Sequence, residues 1–260
     1  SKHLLAGTGY RMEKEAWKAI LAEMADGNSD NSLSGMGMVS IGLPSDFFPA
    51  NPMLNMTGEE VTAMFNVLLS SLLLDLALTI PCAMNEEDRE FYSYGAMHGR
   101  YQMIRTAESY AKSFIPKAET RSNRRLDYLM RMLEKKAPGR YDQKQVRKLM
   151  ESLWNLLVAK KILVFQDDGY QIHHECLHVL QPAQWYRCSK CHKLTPYNVS
   201  GVCPSYQCHG TLERIEPGVE YRNNHYFRLY HDMDIQALRV KEHTAQLDRD
   251  QAYQYQQDFK

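Results

Sequence analysis

The sequence predicts an α+β chain, mostly helical and assembled from several modules. Three observations lead there. Apolar residues recur at helical spacing over much of the first half; a helix, turn, helix, hairpin order begins at Arg124; and two close pairs of cysteines follow it. Together they divide the chain into a helical domain over residues 1–120, a winged-helix-like domain over 121–182, a zinc ribbon over 183–216 and a further α/β segment over 217–260.

Arg11 to Ala25 reads as a helix, because Trp17, Ile20, Leu21 and Met24 fall on one face, and it stops at Asp26-Gly27-Asn28. Gly, Ser, Asn and Pro then dominate through Met56, and Pro44, Pro49 and Pro52 exclude helix, so loop or extended structure is expected around Met38 to Leu43. Thr57-Gly58-Glu59-Glu60 is a capping-box pattern that opens an apolar helix to about Leu78. Its run from Val67 to Ile80 contains Asp75 and is too short to span a bilayer, which points to a core helix. A further helical stretch is expected from Glu86 to Phe114, interrupted near Gly95 and Gly99. None of these first 115 residues forms a motif tied to chemistry.

From Arg124 the apolar positions are Leu126, Leu129, Met130 and Leu133, and Ala137-Pro138-Gly139 ends that helix. Asp142 is placed to cap a second helix, with Val146, Leu149, Leu153, Leu156 and Leu157 as its apolar face and Lys160-Lys161 at its end. Ile162–Phe165 and Tyr170–His173 flank Gln166-Asp167-Asp168-Gly169, where Asp-Gly is expected to supply the positive φ angles of a hairpin turn. Helices followed by a short hairpin are the order of a winged-helix domain.

Cysteines stand at 82, 176, 188, 191, 203 and 208. The last four make two close pairs, Cys188/Cys191 and Cys203/Cys208, each able to offer two thiolates from one tight turn. Four thiolates complete a tetrahedral shell and leave no position for water, so the expected cofactor is a structural zinc and not a catalytic one. In so small a segment the metal substitutes for an apolar core. His192 and His209 are alternative ligands, but both cysteine pairs already have workable spacing. Cys82 and Cys176 read as ordinary buried thiols, and His173, His174 and His178 as surface or packing histidines.

Charge is balanced overall, with 31 basic and 31 acidic side chains, so no global field draws the molecule to an anionic partner. Locally it is not: residues 117–161 hold thirteen Lys/Arg against five Asp/Glu, a net of +8. Lys144, Arg147 and Lys148 share a helix face opposite the leucines, flanked by Arg140, Lys160 and Lys161 together with Arg121, Arg124 and Arg125. That pattern fits contact with nucleic acid, DNA in the first instance, through its phosphates; the alternative is a merely solvated face. Fourteen methionines and the lack of a basic-then-apolar leader suggest a reducing, cytoplasmic setting, with no membrane partner expected. Asn198-Val199-Ser200 is then an idle glycosylation match.

Ala237-Leu238-Arg239-Val240-Lys241-Glu242-His243-Thr244-Ala245-Gln246-Leu247-Asp248, with the helix expected to run from Asp248 to Asp258-Phe259-Lys260, resembles the beginning of the second RecA-like lobe of large superfamily 2 DEAD/DEAH-box helicases that carry a cysteine-rich zinc domain. In that family a strand ends at such an EHTAQ-like motif and a helix leads on through a Phe-Lys pair. The resemblance covers about two dozen residues. It implies that residues 217–260 start a RecA-like lobe, that the chain is a piece of a larger helicase, and that its partners include the remaining RecA-like lobes. ATP and Mg would belong to that parent. This chain has no Gly-x-x-x-x-Gly-Lys-Ser/Thr loop and no Asp-Glu-x-His or Asp-Glu-Ala-Asp box, and Gly7-Thr8-Gly9 lacks the following lysine. The expectation is therefore a non-catalytic, zinc-containing, nucleic-acid-binding accessory region of an ATP-dependent helicase or translocase. The alternative is a free-standing winged-helix/zinc-ribbon DNA-binding regulator; a redox or metal-dependent enzyme is a distant third.

Overall fold

A computed structural model describes residues 2–25, 31–80, 99–166 and 168–233. The chain is mixed α+β. Helix α1 spans Lys2–Ala25, strand β1 Ser40–Gly42, α2 Gly58–Leu73, β2 Tyr101–Ile104, β3 Lys112–Ile115, α3 Arg124–Lys136 and α4 Gln143–Ala159. There follow β4 Leu163–Gln166, β5 Gly169–Ile172, β6 His178–Leu180, β7 Trp185–Cys188, β8 Leu194–Thr195, β9 Leu212–Ile215, the single turn α5 Pro217–Glu220, and α6 His225–Asp232.

Helix α2 is the centre of the molecule, and its capping box forms as the sequence requires. Thr57 Oγ1 accepts from Glu60 N at 3.2 Å while Glu60 Oε2 accepts from Thr57 N at 3.0 Å. Eleven of its sixteen residues are buried, which is what an almost unbroken apolar run demands. The helix ends at Leu73, earlier than the expected Leu78, because Leu76 takes a left-handed φ of 54° and Ala77 turns its amide back to Leu72 O. Two buried polar side chains on α2 then fix the proline-rich segment. Asn66 accepts from Leu43 N at 2.7 Å and donates to Leu43 O at 3.0 Å, and Thr62 Oγ1 accepts from Phe48 N at 3.0 Å. The extended segment expected around Met38 to Leu43 is β1, paired antiparallel with β6.

The expectation of helix from Glu86 to Phe114 is wrong over its described part. Residues 101–104 and 112–115 are parallel strands; residues 81–98 lie outside the described residues, Cys82 among them. Tyr101 and Phe114 are buried on the face toward Arg125, whose guanidinium lies 4.9 and 5.1 Å from their ring centroids. Arg125 donates to Phe114 O, Ser113 O and Ser71 Oγ, tying β3 to α2 and α3. Burial holds its guanidinium below the usual range. A basic residue read as surface charge is thus part of the interior.

Helices α3 and α4 are capped by Asn123 and Asp142, the latter in a capping box with Gln145. Their buried faces are rotated from those expected. Leu126, Leu129 and Leu133 are buried on α3, but Met130 is partly exposed while Tyr128 and Met132 are buried. On α4, Val146, Met150, Leu153, Trp154 and Leu157 face inward, while Leu149 is half-buried and Leu156 is exposed. On α1, likewise, Leu21 is buried and Ile20 exposed. Trp154 packs on Phe114 and Tyr170 at centroid distances of 5.2 and 5.0 Å.

The β4–β5 hairpin forms, with Gln166 paired to Gly169. Its positive φ belongs to Asp168, at 67°, and Gly169 is already in strand; there a Cβ would press on Arg100. The hairpin is not isolated, since β5 also pairs with β2 to give the four-stranded order β3-β2-β5-β4. One apolar core runs from Leu21 through α2, α3 and α4 to Val199 and Val202. No described helix is long and apolar enough to cross a membrane.

Candidate metal centre

The cysteine pairs sit on a three-stranded antiparallel sheet of order β8-β7-β9. Cys188 ends β7 and Cys191 lies in the turn to β8; Cys203 and Cys208 lie in the connection from β8 to β9. Each turn is reversed by a left-handed residue directly beside a cysteine, His192 at φ 59° and Gln207 at φ 54°. All four Sγ atoms lie within 4.8 Å of one another. Two separations that cross between the pairs are 3.5 Å for Cys188–Cys208 and 3.6 Å for Cys191–Cys203. A disulfide needs about 2.05 Å, and all four thiols are free. A tetrahedral ion with metal–sulfur bonds of about 2.3 Å needs sulfurs about 3.8 Å apart, close to what is found. The four cysteines are therefore placed to hold a metal ion such as zinc.

The surroundings suit thiolates. Each sulfur faces the amide of the residue two positions on: Lys190 N to Cys188 and Ser205 N to Cys203, both at 3.5 Å, with Lys193 N toward Cys191 and Gly210 N toward Cys208. A Cβ at Gly210 would overlap Cys188 Sγ, so the second turn closes only around glycine. Burial raises the Cys203 and Cys208 thiols. At Cys191 burial opposes the thiolate, but hydrogen bonds from Ser205 Oγ, Lys193 N and neighbouring thiols prevail and bring it to about 6. A cation would draw on all four sulfurs at once.

Two residues that the sequence reading did not connect to the site bind it to the helical core. Arg131 on α3 donates to the carbonyls of Cys203, Cys208 and Ser205 at 2.8, 2.8 and 2.9 Å. Asp127, one helical turn earlier, pairs with Arg131 at 2.7 Å and accepts from Gln207 N at 3.0 Å. The signal available was the i,i+4 Asp/Arg pair itself. His192 and His209 are not in the metal-competent group, which comprises the four cysteines alone among the described residues. His174 is a packing residue, bonded to Thr79 Oγ1 at 2.8 Å with its ring 5.6 Å from that of Trp17; Cys176 is partly exposed.

The basic residues separate into two groups. Lys144, Lys148, Arg140, Lys160 and Lys161 are exposed. Lys160 lies over Phe47 and Phe48 at 5.7 and 5.6 Å, and Arg140 over Tyr141 at 5.3 Å. Arg147 is different: its guanidinium donates to Pro116 O, Ala118 O, Glu119 O and Arg121 O at 2.5 to 3.2 Å. It clamps the loop before α3, and that work leaves little of it to reach a phosphate. Arg125, Arg131 and Lys136 are also committed internally, Lys136 to Glu60 at 2.5 Å. Residues 234–260, which carry the helicase-like stretch, lie outside the described residues. Compared with family models, curated proteins and solved structures, the chain matches none.

Proposed function

We propose that this chain is a zinc-stapled, non-catalytic nucleic-acid-binding region of an ATP-dependent helicase or translocase. The observation that carries the zinc is the convergence of four thiolate-competent sulfurs, each supplied with a backbone N–H. Nucleic-acid contact is supported by exposed basic residues of the +8 segment: Lys144 and Lys148 on α4, with Arg140 at the turn before it and Lys160 and Lys161 after it. In this reading the α3–α4 pair with the β4–β5 hairpin is a winged helix, and the β8-β7-β9 sheet is a zinc ribbon. Arg147 holds the loop before α3 while the lysines contact phosphate. The helicase assignment rests on the EHTAQ-like stretch near the end of the sequence.

Binding of duplex DNA at several salt concentrations tests the reading. Affinity should fall steeply with salt and depend little on sequence, and the Lys144→Glu/Lys148→Glu double variant should weaken every duplex alike with zinc content unchanged. Equal binding by the wild type and this variant at low salt would leave α4 as a solvated face. A free-standing regulator would instead bind one sequence in strong preference to others.

A further inference from the structure

A cavity of about 200 Å³ lies where α2, β1 and the metal segment meet. Its floor is apolar, from Ile41, Val67, Leu73 and Leu74, and three aromatic side chains, Trp185, Tyr197 and Tyr221, line it with Pro196 and Pro204. Arg124, His192 and Lys193 line one part, and all three are exposed enough to reach a ligand. Arg124 has no hydrogen bond or ion pair among the described residues. Ser40 is 5% exposed, and its Oγ, also in the lining, lies beside the Tyr197 hydroxyl. The neighbouring Tyr197 hydroxyl is donated to Ile41 O. Glu23 contributes the one carboxylate, with Oε1 accepting from Ser34 N and Ser34 Oγ.

We propose that this cavity binds a single nucleotide, with its base among the aromatic side chains and its phosphate at Arg124 and Lys193. The volume is below that of a pocket for a drug-sized molecule, which matches one flat ring system with its charged group at the mouth. Stacking on aromatic faces holds a base without reading its identity, and two basic side chains with a histidine provide the matching charge for a phosphate. Glu23 accepts from a base amino or ribose hydroxyl group. Because Ser205 both lines the cavity and donates its amide to Cys203 Sγ, the pocket has its shape only while the metal turns are closed. This site is separate from the lysine face of α4.

Titration calorimetry of the zinc-loaded chain with adenosine monophosphate tests the proposal. Saturable binding is expected, weakened at least tenfold in Arg124→Ala, partly restored in Arg124→Lys, and unaffected in Lys144→Glu/Lys148→Glu, with zinc content equal in all. A 5′-phosphorylated dinucleotide that competes would identify a strand end as the natural source; failure to compete would identify the free nucleotide. Three results would overturn the site: no saturable binding at millimolar adenosine monophosphate, equal affinity in Arg124→Ala, or inorganic phosphate binding as tightly as the nucleotide. Loss of duplex binding in the lysine variant with nucleotide binding intact leaves both proposals standing. The converse pattern overturns each on its own terms.

Discussion

Helix α2 and the metal segment face the same task, fixing a short stretch of chain, with opposite resources. Helix α2 buries eleven of sixteen residues, and Met64, Phe65, Leu68 and Leu72 are fully enclosed. From β7 to the end of β9 the buried apolar residues are Trp185, Val199 and Val202, joined by the ligand cysteines Cys188 and Cys203. The first region is held by apolar area removed from water, whereas the second has four cysteine sulfurs placed to hold a metal ion. The two are not independent, because Val199 and Val202 belong to the central core and Arg131 reaches from α3 to three carbonyls of the metal turns.

Chelation gives the largest way to break this contrast. Structural zinc contributes on the order of 10 kcal/mol or more to small sites, beyond any single side chain here. Hydrogen exchange should lose protection across residues 186–215 on metal removal while α2 keeps its own. Uniform loss across both regions would mean that they form one cooperative unit. Leu129→Ala attacks the other side: the residue is fully buried on α3, and the cavity left behind should cost about 2–5 kcal/mol by denaturant unfolding with metal content unchanged.

Arg131→Ala tests the coupling itself. Removing it strands the Asp127 carboxylate and three carbonyls, so a loss of about 3 kcal/mol is expected. A roughly 10- to 100-fold drop in metal affinity should accompany it, as for other groups that orient ligands from outside the shell. A stability loss with metal affinity unchanged would reduce Arg131 to a packing residue. The smallest effect is at the start of α2, where Thr57→Ala should cost about 1 kcal/mol and leave the metal turns untouched.

How much of this was legible in the sequence follows from the same contrast. Periodicity and capping residues are local, so α2, α3, α4 and the β4–β5 hairpin could be read, and paired cysteines announce themselves by spacing. The strands at Tyr101–Ile104 and Lys112–Ile115 could not, because they are stabilised by distant partners: Tyr101 bonds to Asp75, and Arg125 closes on the carbonyls of Ser113 and Phe114. Arginines misled for the same reason. A sequence counts Arg125, Arg131 and Arg147 as positive charge, whereas their guanidinium groups are occupied by backbone carbonyls up to 77 residues away. The cavity beside the metal turns was invisible too, since its lining comes from segments between Glu23 and Tyr221.

Metal analysis of freshly purified, unchelated protein tests the central claim most directly, paired with Cys203→Ser. The expected result is about one zinc per chain in the wild type and near zero in the variant, with helix content retained. Wild-type protein without zinc, or a variant that keeps its full equivalent, would contradict the tetrathiolate centre.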